Sequence, residues 1–151
     1  MNKITAVIIE DEIPAARRLN KIINEIRPEW QVTILPGSVE KSVEWFNKNP
    51  HPDIVFLDIQ LTDGISFTFI EQARPESTII FTTAYDEYAI RAFAVNSIDY
   101  LLKPIDSVRL EEAIAKFEHL TTKYLVQEQK TTDLIDILQN IANPCKKYRT
   151  R

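Results

Sequence analysis

The chain has 151 residues, of which 44% are hydrophobic and 26% are charged, a balance typical of one globular domain with a substantial core. Its 22 acidic and 18 basic side chains give a net charge of −4, which argues against nucleic-acid binding by most of the chain. A single cysteine excludes an internal disulfide and favours a reducing compartment, so we expect a cytoplasmic protein. The two glycines are too few for a glycine-rich phosphate loop, and the first apolar run is too short to span a membrane.

Five short apolar runs alternate with segments of helical spacing. The runs, which we predict to be strands, cover residues 6–9, 32–35, 54–57, 78–81 and 98–102. Three of them are apolar at consecutive positions, as expected for strands covered on both faces of a parallel sheet. The predicted helices cover residues 13–26, 39–47 with a cap at Ser38, 65–73, 87–95 and the stretch after a cap at Asp106 or Ser107. Five βα repeats with right-handed crossovers predict an α/β, doubly wound (βα)5 fold around a five-stranded parallel sheet.

The C-terminal part of the chain has a different pattern. An apolar seam of helical spacing that begins at Leu110 becomes polar at three positions, Thr121, Glu128 and Thr131. One interpretation is a single long helix whose second half pairs with a partner. The alternative is a break near Lys130, followed by a short helix over residues 133–141. In either case we expect residues 1–120 to form the domain and residues 121–151 to form a helical linker.

Four predicted strands stop abruptly at a polar residue. Glu10 and Asp11 follow the first strand and Asp58 follows the third. Thr83 follows the fourth strand and Lys103 the fifth. Ligands of open parallel sheets bind outside the carboxyl ends of the strands, so we expect these side chains to converge at one edge. Each has an ordinary explanation when taken alone, such as a cap or a surface lysine, and only their joint placement indicates a site. We expect the two histidines, His51 and His119, to face solvent and assign neither a role.

The chemistry that fits this set is phosphoryl transfer. Clustered carboxylates repel one another unless a cation lies among them, and Mg²⁺ prefers oxygen ligands. Asp58 ends the central strand alone and is the best candidate for a nucleophile that forms an aspartyl phosphate. Glu10 and Asp11 are then the metal ligands. Lys103 can neutralise one phosphoryl oxygen, and Thr83 can donate a hydrogen bond to another.

Four motifs, taken in chain order, are highly specific. They are Ile-Ile-Glu-Asp-Glu at residues 8–12, Asp-Ile-Val-Phe-Leu-Asp-Ile at 53–59 with Gly64 six residues after Asp58, Phe-Thr-Thr-Ala at 81–84, and Asp-Tyr-Leu-Leu-Lys-Pro-Ile at 99–105. Through these motifs, residues 3–120 resemble the receiver domain of two-component response regulators. The resemblance implies the flavodoxin-like strand order 2-1-3-4-5.

The resemblance also implies a role for each acidic residue of the site. It makes Asp58 the phosphoacceptor and Glu10 and Asp11 the acidic pair, with the backbone carbonyl of Gln60 as a further protein ligand of Mg²⁺. Two departures from the family pattern stand out. Glu10 is longer than the usual aspartate and is expected to reach the metal through water. The loop after Asp58 lacks the frequent Met-Pro pair and adds the negative charge of Asp63 near the site.

Three further roles follow from the same resemblance. Thr83 corresponds to the hydroxyl that is drawn towards the phosphoryl group, and Tyr100 to the aromatic residue whose ring then turns inward. Lys103 corresponds to the lysine that contacts the phosphoryl group. The bond between Lys103 and Pro104 is expected to be cis, as is usual in this family.

A narrower resemblance lies in residues 81–93 and 99–104, which are similar to LytTR-type (LytR/AlgR-like) regulators. Those regulators join a receiver to a C-terminal, β-rich DNA-binding domain, and residues 147–151 resemble the approach to it. We therefore expect that domain to be missing from this chain, and DNA binding to reside only in the missing part.

The function implied is a phosphorylation switch and not an enzyme in the ordinary sense. A sensor histidine kinase donates the phosphoryl group to Asp58 in the presence of Mg²⁺, and the resulting change favours a homodimer. One alternative is a haloacid-dehalogenase-type phosphatase, which needs a second acid where this chain has Gln60. The others are a receiver-like module that acts without phosphorylation and a flavodoxin-like cofactor binder.

Overall fold

The computed structural model describes residues 3–84 and 99–130, with side chains as far as Thr121. Its strands are β1 (Thr5–Glu10), β2 (Gln31–Pro36), β3 (Ile54–Asp58), β4 (Gln60–Leu61), β5 (Gly64–Ile65), β6 (Thr78–Thr83) and β7 (Asp99–Leu102). Its helices are α1 (Ile13–Ile26), α2 (Val39–Lys48), α3 (Ser66–Ala73) and α4 (Ser107–Lys130).

Five strands form one parallel sheet in the order β2-β1-β3-β6-β7. Leaving out the short β4 and β5, this is the order 2-1-3-4-5, so the predicted doubly wound fold is confirmed. Ile9 in β1 lies beside Leu57 in β3. Thr83 in β6 lies beside Leu102 in β7. The carboxyl ends of these four strands therefore meet at one edge of the sheet.

Both faces of the sheet are covered, which explains the consecutive apolar positions. Ile8 and Phe56 face a core shared with α1 and α4. Their neighbours Val7 and Val55 face the opposite core, shared with α2 and α3. All four side chains are almost wholly buried, and burial of each stabilises the fold by about 2 kcal/mol.

Side chains fix two helix starts. The Ser38 hydroxyl accepts a hydrogen bond of 3.2 Å from the Lys41 backbone N–H, which confirms the predicted cap of α2. Of the two candidate caps before α4, Asp106 is the one used, since its carboxylate accepts a 3.1 Å hydrogen bond from the Arg109 backbone N–H. Helix α3 ends at Arg74, whose backbone is left-handed with a φ of 47°.

The C-terminal helix α4 is anchored to the end of α1. The Phe117 ring meets the Trp30 ring edge-on, with centroids 5.8 Å apart, and both rings are buried. One residue later, the Glu118 carboxylate accepts two hydrogen bonds, of 2.7 and 2.8 Å, from the Arg27 guanidinium. The helix then continues without interruption across the expected domain boundary to Lys130.

Some of the expectations from the sequence fall outside the described residues, and others differ from the structure. The predicted helix over residues 87–95, and the choice between a long helix and a break near Lys130, lie outside the described residues. The β4–β5 hairpin was not predicted, because strands of two residues show no periodicity. His51 was expected to face solvent, but its ring is half-buried and bonds to the Phe46 carbonyl and the Glu76 backbone N–H. None of the helices that the structure describes is long and apolar enough to cross a membrane.

Candidate functional site

The edge of the sheet at the ends of β1, β3 and β7 carries two acids and one lysine in direct contact. The Lys103 ammonium lies 2.7 Å from a Glu10 carboxylate oxygen and 3.1 Å from an Asp58 carboxylate oxygen. Both acids are buried, Glu10 at 7% exposure and Asp58 at 6%. Carboxylates are rarely buried so deeply unless they are paired, as these two are with Lys103. The structure therefore brings Glu10, Asp58 and Lys103 together, as the sequence predicts.

Asp11 completes an oxygen-rich cluster beside this ion pair. One carboxylate oxygen from each of Glu10, Asp11 and Asp58 lies within 4.8 Å of the others. Asp11 is exposed, so the cluster opens to solvent on its side. Three carboxylate oxygens at this spacing are the donor set that a hard divalent cation such as Mg²⁺ takes, with waters filling its remaining positions.

The electrostatics of the cluster show an excess of negative charge. Burial raises the pKa of Glu10 to about 7, and the charge of Asp58 adds to this, although the hydrogen bond from Lys103 opposes it. Burial also raises the pKa of Asp58 against the pull of Lys103. Burial by itself lowers the pKa of Lys103, but the hydrogen bond to Glu10 and the charge of Asp58 outweigh it, so that pKa is raised. The single positive charge of Lys103 does not balance the three carboxylates, whereas a bound divalent cation would add the missing positive charge.

The raised pKa of the buried Glu10 carboxyl predicts a pH dependence of the metal-free protein. Glu10 has a pKa of about 7 when folded and about 4.5 when unfolded, so between these values the folded state holds more protons. The free energy of unfolding should therefore fall as pH rises through this window, by up to about 3 kcal/mol. Urea denaturation in EDTA at a series of pH values measures it. In Glu10→Gln the fall should become smaller, because only the raised pKa of Asp58 then contributes to it, and an unchanged slope would contradict the assignment.

Thr83 and Tyr100 lie on the strands next to the cluster. Thr83 is buried at the end of β6, and its backbone carbonyl accepts a 2.8 Å hydrogen bond from the Lys103 backbone N–H. The peptide bond that follows, between Lys103 and Pro104, is cis, as the family resemblance implied. The Tyr100 side chain is half-buried against the core shared with α2 and α3. The switch roles of both residues stay predictions.

The loop after Asp58 differs in part from expectation. Gln60 begins the β4–β5 hairpin, and its backbone N–H lies 3.4 Å from an Asp58 carboxylate oxygen. Asp63 was expected to add negative charge to the site. Its carboxylate instead accepts hydrogen bonds from the backbone N–H groups of Val39 and Glu40 at the start of α2. Sequence reasoning missed this contact because 24 residues separate Asp63 from Val39.

A glycine that sequence reasoning passed over also shapes the site. Gly37, between β2 and α2, packs directly against the backbone of Asp11, so that a Cβ at this position would overlap Asp11. The turn signal Pro36-Gly37 after the second strand was visible in the sequence. The close approach to Asp11 was not, since it depends on the tertiary arrangement.

Comparisons with known proteins agree with this geometry. Residues 6–115 match the family model described as response regulator receiver domain. The sensory transduction protein LytT of Bacillus anthracis is 33% identical over 143 residues, which cover 91% of this chain and 57% of that protein. The sensory transduction protein LytR of Streptococcus mutans is 32% identical over 130 residues, which cover 84% of this chain and 53% of that protein. The chain thus spans little more than half the length of these relatives.

Solved structures show the same fold. The response regulatory domain of protein mrkE from Klebsiella pneumoniae has a TM-score of 0.68 at 25% identity, covering 80% of this chain and 99% of that chain. A CheY-like receiver domain from Methylobacillus flagellatus has a TM-score of 0.67 at 21% identity, covering 77% and 99%. Since the family model covers most of the sequence and the fold agrees, the chain belongs to the response regulator receiver domain family, whose members are signalling proteins and not classical enzymes.

Proposed function

We propose that this receiver domain accepts a phosphoryl group on Asp58 from a sensor histidine kinase. The observation that supports this most directly is the Lys103 ammonium held between the buried Glu10 and Asp58 carboxylates, at 2.7 and 3.1 Å. A salt bridge of this depth contributes little net stability, because removing the charges from water offsets their attraction. Its position at the ligand-binding edge of the sheet favours a functional reason for it.

In the proposed reaction, an Asp58 carboxylate oxygen attacks the phosphorus atom of a phosphohistidine. The new P–O bond forms as the P–N bond breaks, and the imidazole leaves with the electrons of that bond and takes up a proton. Asp11, Asp58 and the Gln60 backbone carbonyl would hold Mg²⁺, with Glu10 reaching it through water. When bound, Mg²⁺ offsets negative charge on the phosphoryl oxygens. Lys103 then neutralises one of these oxygens with an ammonium that is already desolvated and in place.

The proposed output is a change in packing near β6 and β7. A phosphoryl group adds about −1.5 to −2 charges and strong acceptor oxygens. In this proposal the Thr83 hydroxyl is drawn towards them, and the Tyr100 ring moves into the space vacated. The shift favours a homodimer.

The wider setting is also proposed. Similarity to LytT and LytR, of which the chain spans little more than half, supports a LytTR-type regulator whose DNA-binding domain lies in the remainder of the protein. The phosphorylated receiver would control transcription through that domain, in the cytoplasm. Within this assignment, residues 1–120 are the receiver and residues 121–151 the helical linker.

Phosphate incorporation tests the proposed function. With Mg²⁺ and acetyl phosphate, the protein should gain one phosphoryl group by intact mass, and Asp58→Asn should gain none. Asp53→Asn is the matched control, because Asp53 precedes the same strand at the opposite edge of the sheet. It should incorporate phosphate as the parent does.

Other results would favour the alternatives. No incorporation by the parent, from acetyl phosphate or from a kinase, would favour a module that acts without phosphorylation. Steady release of phosphate from small phosphate esters would favour a phosphatase. Incorporation by Asp58→Asn would show that a different residue is the acceptor.

A further inference from the structure

The turn of the β4–β5 hairpin is fixed to the junction between β2 and α2. The Thr62 backbone N–H and hydroxyl both donate to the Gly37 carbonyl, at 2.8 and 3.0 Å. The Asp63 carboxylate accepts from the Val39 and Glu40 backbone N–H groups, at 2.6 and 3.1 Å, and lies 3.1 Å from the Ser38 hydroxyl. Five hydrogen bonds therefore join a two-residue turn to a segment that lies 23 or more residues away.

On its other side, this hairpin leads directly to the phosphoacceptor candidate. Gln60 pairs with Ile65 across the hairpin, and the Ser66 backbone N–H donates to the Ile59 carbonyl at 2.7 Å. The Gln60 backbone N–H lies 3.4 Å from an Asp58 carboxylate oxygen. Fixing the turn therefore fixes the backbone of Gln60, whose carbonyl is the proposed metal ligand.

The junction between β2 and α2, to which the turn is hydrogen-bonded, also contacts Asp11 at the candidate metal site. Gly37 packs against the Asp11 backbone closely enough to exclude any side chain at position 37. A displacement of Gly37 must therefore displace Asp11 or leave a gap beside it. The Thr62–Asp63 turn is thus joined to Gln60 through the hairpin and to Asp11 through Gly37.

We infer that Thr62 and Asp63 are positioning residues that set the separation between the Asp11 carboxylate and the Gln60 carbonyl, and through it the affinity for Mg²⁺. This rests on the proposed function, since it concerns the metal of the phosphoryl-transfer site. Neither residue is catalytic, because each acts through Gly37, α2 or the hairpin. Groups that hold metal ligands in place without contacting the metal change the affinity for the metal by about 10–100-fold in other metalloproteins.

The charge on Asp63 suits this role. The hydrogen bonds from Val39 and Glu40 hold the pKa of the Asp63 carboxyl below its usual range. The carboxylate is thus ionised wherever the site could bind a metal, and it lies at the positive end of the α2 dipole. The acid that this loop adds, Asp63, therefore anchors the loop and is not a metal ligand.

Mg²⁺ titration of three variants tests the inference. Asp63→Ala removes the anchor, and isothermal titration calorimetry with MgCl2 should show at least about tenfold weaker binding. Asp63→Asn keeps an oxygen acceptor for Val39 and should bind Mg²⁺ nearly as the parent does. Asp53→Ala is the matched control, because Asp53 also accepts hydrogen bonds, from the Thr5 backbone N–H and hydroxyl, at the opposite edge of the sheet. Its dissociation constant should stay within about twofold of the parent value.

Phosphorylation by acetyl phosphate gives a second readout. The deficit of Asp63→Ala should be large at low Mg²⁺ and shrink towards the parent rate as Mg²⁺ saturates the site. If Asp63→Ala does not fold, Thr62→Val removes the hydroxyl contact to Gly37 without changing the volume, and its Mg²⁺ affinity should fall in the same direction.

The outcomes separate this inference from the proposed function. Equal Mg²⁺ affinity in Asp63→Ala, Asp53→Ala and the parent would overturn the positioning role while leaving Asp58 as the acceptor. A parent that takes up neither Mg²⁺ nor a phosphoryl group would overturn the proposed function itself.

Discussion

Replacing Lys103 with methionine should destabilise the metal-free protein by about 3 kcal/mol near neutral pH. The Glu10 and Asp58 carboxylates that the ammonium now bridges are almost wholly buried. Without the ammonium, the site must either hold two like charges at low dielectric or keep Glu10 protonated, and both cost free energy relative to the ion pair. Urea denaturation in EDTA, followed by tryptophan fluorescence, gives the difference in the free energy of unfolding. Because protonation removes one of the charges, the loss should shrink as the pH is lowered through the pKa of Glu10, which Lys103 removal raises further.

Two comparisons make the Lys103 result specific. Millimolar Mg²⁺ should restore part of the lost stability, because it replaces the missing positive charge. Lys48→Met is the matched control, since Lys48 forms a salt bridge of 3.9 Å with Glu44 in which both side chains are largely exposed. Its effect should lie within about 0.5 kcal/mol. An equally small effect of Lys103→Met would mean that the two carboxylates do not depend on the ammonium.

Replacing Phe117 with alanine should lower the free energy of unfolding by about 3 kcal/mol. The ring is buried against Trp30 and within the core that α4 shares with α1 and the sheet, so its loss leaves a cavity at the helix anchor. Trp30 is in contact with the site of the change, and tryptophan fluorescence should report the altered packing as well as unfolding.

The control for this second prediction lies on the same helix. Val108 is 63% exposed in the first turn of α4, so Val108→Ala should change the free energy of unfolding by less than about 0.5 kcal/mol. Equal losses for Phe117→Ala and Val108→Ala would show that α4 is not anchored where the structure places the anchor.

The sheet and the central cluster could be predicted from sequence because both depend on local rules. Consecutive apolar residues such as Val7 and Ile8 indicate a strand covered on both faces, and a polar residue at the strand end marks the ligand-binding edge. Once the strands are parallel, Glu10, Asp58 and Lys103 must lie at the same edge of the sheet. Strand order itself came from the family resemblance, because strand patterns do not specify which neighbours pair.

The residues that sequence reasoning misjudged depend on long-range contacts. Asp63 was counted as charge near the metal site, yet it bonds to the start of α2. His51 was taken as a surface residue, yet it joins the Phe46 carbonyl to the backbone N–H of Glu76. In both cases a polar side chain satisfies backbone groups of another segment, and no local periodicity reports such a pairing.

The uninterrupted course of α4 has a mechanical consequence. Twelve residues separate Glu118, held by Arg27, from Lys130, and at 1.5 Å of rise per residue they span about 18 Å. Tilting the helix by about 10° at Glu118 would move its far end by about 3 Å, by simple trigonometry on that length. A rearrangement inside the domain that tilted α4 at the Arg27–Glu118 pair would therefore displace Lys130 more than it displaced Glu118.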